Sequence, residues 1–74
     1  MKLEEIIGHN VRGFRKRLSL TQANLAEKAD LHPTYLGEIE RGSANLTIAV
    51  LQRVAKALKV DPNILLIKGA FLDN

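Results

Sequence analysis

Residues 21–42, TQANLAEKADLHPTYLGEIERG, carry two helix-length patterns separated by a short break, and this segment narrows the possible folds more than any other. Thr21 is a good N-cap, because its hydroxyl can accept a hydrogen bond from an amide that the first helical turn leaves without a partner. Leu25, Ala26 and Ala29 recur at the spacing of one buried helical face. Asp30 follows, a residue that tolerates the left-handed backbone demanded by a sharp turn between helices. Pro33 opens the second pattern, where its missing N–H is harmless because the first helical amide has no intrahelical acceptor. Leu36 and Ile39 supply the apolar face, Gly42 supplies a C-cap, and Thr34, Glu38 and Arg41 fall on the polar side. The segment reads as two short amphipathic helices joined by a tight turn.

The flanks extend an all-α reading. A first helix is predicted over residues 3–18, with Ile7, Val11, Phe14 and Leu18 on one face at spacings of four, three and four. Gly8 and Gly13 weaken it by about 1 kcal/mol each relative to alanine. They leave two readings open, close packing of a neighbouring backbone or simple tolerance. Thr47 is a second N-cap, and the helix after it should bury Val50, Leu51, Val54, Ala55 and Leu58. Asp61-Pro62 repeats the cap-plus-proline signal for a short fifth helix over Asn63 to Ile67. There is no internal repeat, low-complexity segment or strand-like alternation. The expectation is a single all-α, five-helix domain over residues 1–74.

At 74 residues the chain is near the size at which one core is marginal and a partner subunit helps. The apolar run Ile64, Leu65, Leu66, Ile67, Ala70, Phe71 and Leu72 is more than so small a core covers. Residues 60–74 are therefore expected to form an isologous interface in a homodimer, through Ile64, Leu65, Ile67, Phe71 and Leu72. Cysteine is absent, so no disulfide is available. His9 and His32 lack the spacing and neighbours of a zinc site, and neither metal nor cofactor is expected. No apolar run reaches membrane-spanning length, and the opening Met1-Lys2-Leu3-Glu4-Glu5 lacks a signal-peptide pattern, so the expected location is the cytoplasm, over a bacterial nucleoid. A Gly-rich phosphate loop, a nucleophile motif and a credible acid–base set are all missing, which argues against an enzyme.

The formal net charge of +3 suits a polyanionic partner, but the charge is unevenly placed. Residues 1–20 hold five basic and two acidic groups and residues 47–74 hold four and two, while residues 21–46 have a net charge of −2. Attraction to a nucleic acid must therefore come largely from Arg12, Lys16, Arg17 and the flanking helices, aided by helix N-termini aimed at phosphates.

The opening "TQxxLA", the run "Y-L-x-x-I-E-R-G" and the stretch "LTIAVLQRVAKALKVDP" resemble, in order and spacing, the phage-repressor and Cro-like (XRE-type) helix-turn-helix regulators. Within that family "TYLGEIERG" is most similar to the controller proteins of restriction–modification systems. The resemblance covers roughly residues 5–67. It implies a phage-repressor-like DNA-binding domain with the helix-turn-helix at 21–42, in helices 2 and 3, and helix 3 in the major groove. By the same resemblance His32, Pro33, Thr34 and Glu38 are the base-reading positions. Thr34 can bond a base edge or touch a thymine methyl, and Glu38 can accept from a cytosine amino group. Controller-like relatives often carry an arginine at the position of Pro33, so a strong guanine reader is missing here, and Pro33 is also a plain helix starter.

The phosphate-binding candidates are Arg17, Thr21, Gln22, Tyr35, Arg41, Ser43 and Asn45. Tyr35 has a second reading as half-buried packing. The resemblance also sets Arg15 against Glu40 as a structural pair that fixes the reading helix to its scaffold, the alternative being two independent surface charges. Ser19 stands where the family usually has glycine, which predicts a strained turn. The implied function is that of a homodimeric transcriptional regulator on a symmetric double-stranded DNA operator, a restriction–modification controller first, a phage or plasmid repressor or an antitoxin next. RNA polymerase is a further partner where the protein recruits rather than occludes. The rival from another class is a protein-interaction module that keeps the fold without binding DNA.

Overall fold

Local caps decide where each helix begins in the computed structural model, which describes residues 1–71. Helix α1 spans Leu3–Arg17. The Glu5 carboxylate accepts from the Lys2 backbone N–H at 2.9 Å, and Glu4 and Glu5 at one end with Arg15, Lys16 and Arg17 at the other oppose the helix dipole. Helix α2 spans Gln22–Ala29 and opens on a reciprocal cap, with Thr21 Oγ1 accepting from Asn24 N–H at 3.0 Å and Asn24 Oδ1 from Thr21 N–H at 3.2 Å. It ends at Asp30, whose φ of 57° and ψ of 50° are left-handed. Helix α3 spans Pro33–Glu40 and closes through Gly42, with φ of 76°. Helix α4 spans Ile48–Leu58, capped by Thr47 Oγ1 accepting from Val50 N–H at 3.1 Å.

Three expectations about local structure change. The fifth element is not an α-helix but a 3-10 turn over Pro62–Leu66, closed by bonds such as Ile64 N–H to the Asp61 carbonyl at 3.0 Å. Five residues are too few to meet the cost of nucleating an α-helix, and Ile67 already has extended backbone. Leu18 does not complete the apolar face of α1: the helix stops at Arg17 and Leu18 is 39% exposed. Val50 and Leu51 are half-buried, while Val54, Ala55 and Leu58 carry the inner face of α4. Ser19 has a φ of 58°, a conformation that a residue with a Cβ adopts at a cost.

The core joins Ile7, Val11 and Phe14 of α1 to Leu25, Ala26 and Ala29 of α2, Leu36 and Ile39 of α3, Val54, Ala55 and Leu58 of α4, and Leu65 of the 3-10 turn. Leu65 is 0% exposed. That corrects its assignment to a dimer interface, since a side chain already enclosed by its own domain has no surface to offer a second copy. Buried Asn10 explains how so short a turn is held: its Nδ2 donates to the carbonyls of Leu65 and Ile67, each at 3.0 Å, and its Oδ1 accepts from Phe71 N–H at 3.4 Å. Of the remaining interface candidates, Ile67 is 50% exposed, Ile64 and Phe71 are half-buried, and Leu72 lies outside the described residues.

Gly8 settles which of its two readings holds. A Cβ there would collide with the Ile39 carbonyl oxygen and lie 2.7 Å from that of Glu40, so the glycine is what lets α1 lie against the end of α3. The obstacle is backbone and cannot swing aside. Gly8→Ala is therefore expected to destabilise the domain by about 1–3 kcal/mol, despite a helix preference for alanine of about 1 kcal/mol. A urea melt should show a lower midpoint at an unchanged slope; an unchanged midpoint would show that the two helices need not touch.

Candidate nucleic-acid interface

The close approach at Gly8 brings the end of α1 within reach of the end of α3. There Arg15 Nε donates to Glu40 Oε2 at 2.7 Å and Arg15 Nη2 to Glu40 Oε1 at 3.0 Å. The two planar groups meet edge to edge, the geometry in which a guanidinium binds a carboxylate most strongly. The side chains are only 10% and 3% exposed. Arg15 Nη1 also donates to the Leu20 carbonyl at 2.9 Å, which holds the turn leading into α2. Gln22, at the first position of α2, donates from Nε2 to Glu40 Oε1 at 3.0 Å. One carboxylate thus gathers α1, α2 and α3.

Gln22 and Arg41 flank Gly37 on the outer side of this network. A Cβ at Gly37 would lie 3.3 Å from Arg41 Nη1 and 3.7 Å from Gln22 Oε1, so both side chains stand over the same stretch of α3. Thr21 is exposed, and the amides of Gln22 and Ala23 beside it have no acceptor among the described residues, as the first turn of a helix requires. The first turn of α4 leaves the amides of Ile48 and Ala49 in the same state, a pair of donors that residue types alone did not mark.

The start of α3 is built differently. His32 is its N-cap: ring Nδ1 accepts from Thr34 N–H at 3.1 Å. Pro33 has no amide to offer, so the cap takes the first donor that the helix possesses. Thr34 and Glu38 are exposed and one turn apart on the same face, with His32 and Pro33 exposed at its head. All four residues assigned to base reading are therefore open to solvent at the start or along one face of α3.

The remaining phosphate candidates divide. Arg41 and Asn45 are exposed with no hydrogen-bonded side-chain partner among the described residues. Tyr35 is half-buried, and its hydroxyl donates to the Asn45 carbonyl at 3.2 Å. Ser43 Oγ donates to the Glu38 carbonyl at 3.2 Å. Both hydroxyls brace the loop that leaves α3, and each would have to turn from its carbonyl to donate to a phosphate. Arg17 is exposed, and its guanidinium lies 4.7 Å from the centroid of Phe71 and 5.4 Å from that of Phe14. Arg53 of α4 went unmarked in the sequence. It donates to the carbonyls of Ala29 at 3.0 Å and Asp30 at 2.6 Å, closing the end of α2 just before the turn.

An all-α domain with two short helices locked end to side, the second with an open polar face, defines a class. The helix-turn-helix family model matches residues 11–65, and the chain belongs to that family. It is 41% identical to the control protein C.SmaI of Serratia marcescens over 70 residues, covering 93% of this chain and 83% of that one. Its structure resembles that of the restriction-modification controller protein C.AhdI from Aeromonas hydrophila with a TM-score of 0.81 and 31% identity, covering 84% of this chain and 94% of that one. It also resembles SinR of Bacillus subtilis, the master regulator for biofilm formation, in complex with DNA, with a TM-score of 0.79 and 35% identity over 82% and 98% of the two chains.

Because the Arg15–Glu40 pair is out of water, removing one partner strands the other. Arg15→Ala and Glu40→Ala are each expected to cost about 3–5 kcal/mol. The double mutant should lose clearly less than the sum. Chemical melts of the three variants measure the coupling, and additive losses of at most about 1 kcal/mol each, the range of exposed pairs, would show that the contact contributes nothing.

Proposed function

We propose that this helix-turn-helix regulator binds double-stranded DNA with residues 21–42 as the reading unit, α2 lying across the phosphate backbone and α3 in the major groove. The observation that carries the reading is the contrast between the two helix starts. At α2 unpaired amides and the Gln22 amide face outward, a phosphate-binding chemistry. At α3 proline and the His32 cap remove the first two donors, and side chains face outward instead. Phosphate contacts position a protein on the duplex, whereas base contacts specify sequence. The negative balance of residues 21–46 argued for a protein-interaction module, but Glu40 is neutralised internally by Arg15, which weakens that objection. Recognition of DNA requires no catalytic group.

The named relatives support a transcriptional role of the controller type, in which a homodimer on a two-fold symmetric operator occludes a promoter or recruits RNA polymerase. Half-exposed Ile67 and the half-buried Ile64 and Phe71 are the apolar residues on which a second copy would pack. Two reading helices in successive major grooves would place the half-site centres roughly 34–36 Å apart. Ile67→Asp should convert a sedimenting dimer to a monomer with an unchanged circular dichroism spectrum and weaken operator binding. A wild-type monomer in sedimentation would remove the dimer from the reading.

Positioning and reading residues should separate in binding titrations. Gln22→Ala and Arg41→Ala are expected to weaken binding to operator and random DNA alike, and Arg41→Ala should reduce the slope of log affinity against log salt by about one. Thr34→Ala and Glu38→Ala should cost about 1–3 kcal/mol on the preferred site and little on random DNA, with the slope preserved. Full discrimination retained by the Thr34 and Glu38 variants would exclude α3 as the reading helix.

A further inference from the structure

The bond that starts α3 also fixes the chemistry of the residue that makes it. A backbone N–H can donate only to a ring nitrogen that carries a lone pair, so His32 Nδ1, 3.1 Å from Thr34 N, is unprotonated. In a neutral imidazole the other nitrogen then bears the hydrogen. Nε2–H is thus a donor on an exposed ring at the head of the face that carries Thr34 and Glu38. The usual N-caps are serine, threonine, aspartate and asparagine. A hydroxyl among them can still rotate to donate, and a carboxylate cannot donate at all. The capping imidazole has neither freedom: its outward atom has one polarity. The missing amide of Pro33 leaves Thr34 N–H as the first donor of the helix, and the bond to it orients the ring.

We infer that His32 is a specificity-determining residue whose Nε2–H donates to N7 of a purine on the DNA base edge facing the start of α3. The inference rests on the reading that α3 enters the major groove. There guanine presents two acceptors, N7 and O6; adenine presents N7 beside an amino donor; thymine presents O4; cytosine presents only an amino donor. A ring that can donate but not accept favours guanine most and cytosine least at that step.

The test uses the full chain and the DNA site it selects from a random pool. Purines in each half-site are replaced singly by their 7-deaza analogues, which lose the N7 acceptor and keep Watson–Crick pairing. Binding is compared for the wild type and for His32→Ser, whose hydroxyl keeps the cap but is too short to carry the ring's contact. One position should show a loss of roughly five- to tenfold for the wild type, the scale of a single hydrogen bond, and little for His32→Ser. Ring nitrogen shifts of the free protein should show the Nε2–H tautomer. The inference is overturned if the ring is the Nδ1–H tautomer, if no purine shows an N7 effect that depends on His32, if cytosine is selected at that step, or if His32→Ser weakens all sequences equally, which would mark a phosphate contact. A wild type that selects no sequence would overturn the DNA reading itself, and this inference with it.

Discussion

The buried pair of Arg15 and Glu40 is the contact on which the arrangement of the domain turns. Taking a guanidinium and a carboxylate out of water is costly, and their attraction offsets that cost only when geometry is good and the remaining polar atoms find partners. Both conditions are met: the pair makes two bonds, a third guanidinium nitrogen donates to Leu20, and Glu40 Oε1 also accepts from Gln22. Its consequence is geometric more than energetic. An apolar contact at the same place would tolerate sliding of α3, whereas two opposed planar groups with every atom engaged do not. Gly8 is the precondition, because only a residue without Cβ lets the α3 carbonyls come close enough for Arg15 to reach Glu40.

The elements legible in the sequence are those fixed by chemistry within four residues. Thr21, Thr47 and Pro33 mark helix starts, and Asp30 and Gly42 mark left-handed exits, because capping depends on a side chain and the next turn of its own backbone. His32 escaped as a cap for the converse reason: imidazole is rarely used that way, so its place in the pattern suggested only a reader. The roles of Arg53 and Asn10 could not be assigned from the sequence. Their partners are backbone carbonyls 23 or more residues away, and a carbonyl carries no trace of residue identity. Asn10 left a faint signal, a polar residue between the apolar positions Ile7 and Val11, and a buried amide there must find partners.

Charge was the least reliable guide to site residues. Arg17 keeps its charge, but its guanidinium is held over two aromatic rings that themselves meet edge to face, 5.3 Å apart at 74°, which fixes where that charge sits. Glu40 counts as an acid in the middle of a segment offered to a polyanion, yet its charge is spent inside. Tyr35 of α3 and Ser43 of the loop after it carry suitable donors, but each hydroxyl already donates a hydrogen bond to a carbonyl. What a polar side chain can offer a ligand is what remains after its own domain has used it.

These contacts make α1 a two-sided axle. Gly8 and Arg15 lie two turns apart on the side that sets α3, while Asn10 and Arg17 lie two turns apart on the side that holds the segment after the 3-10 turn. The two pairs are offset by two residues, about 200° around a helix of 3.6 residues per turn. Gly13 belongs to the second side, where a Cβ would collide with the Phe71 ring. In the proposed dimer the second side carries the apolar surface near the two-fold axis and the first side carries the reading helix. The separation of the two reading helices would then be set through the body of α1 rather than through a flexible connection. A rigid helix between two polar clamps is what a protein needs if half-site spacing is to be part of what it recognises.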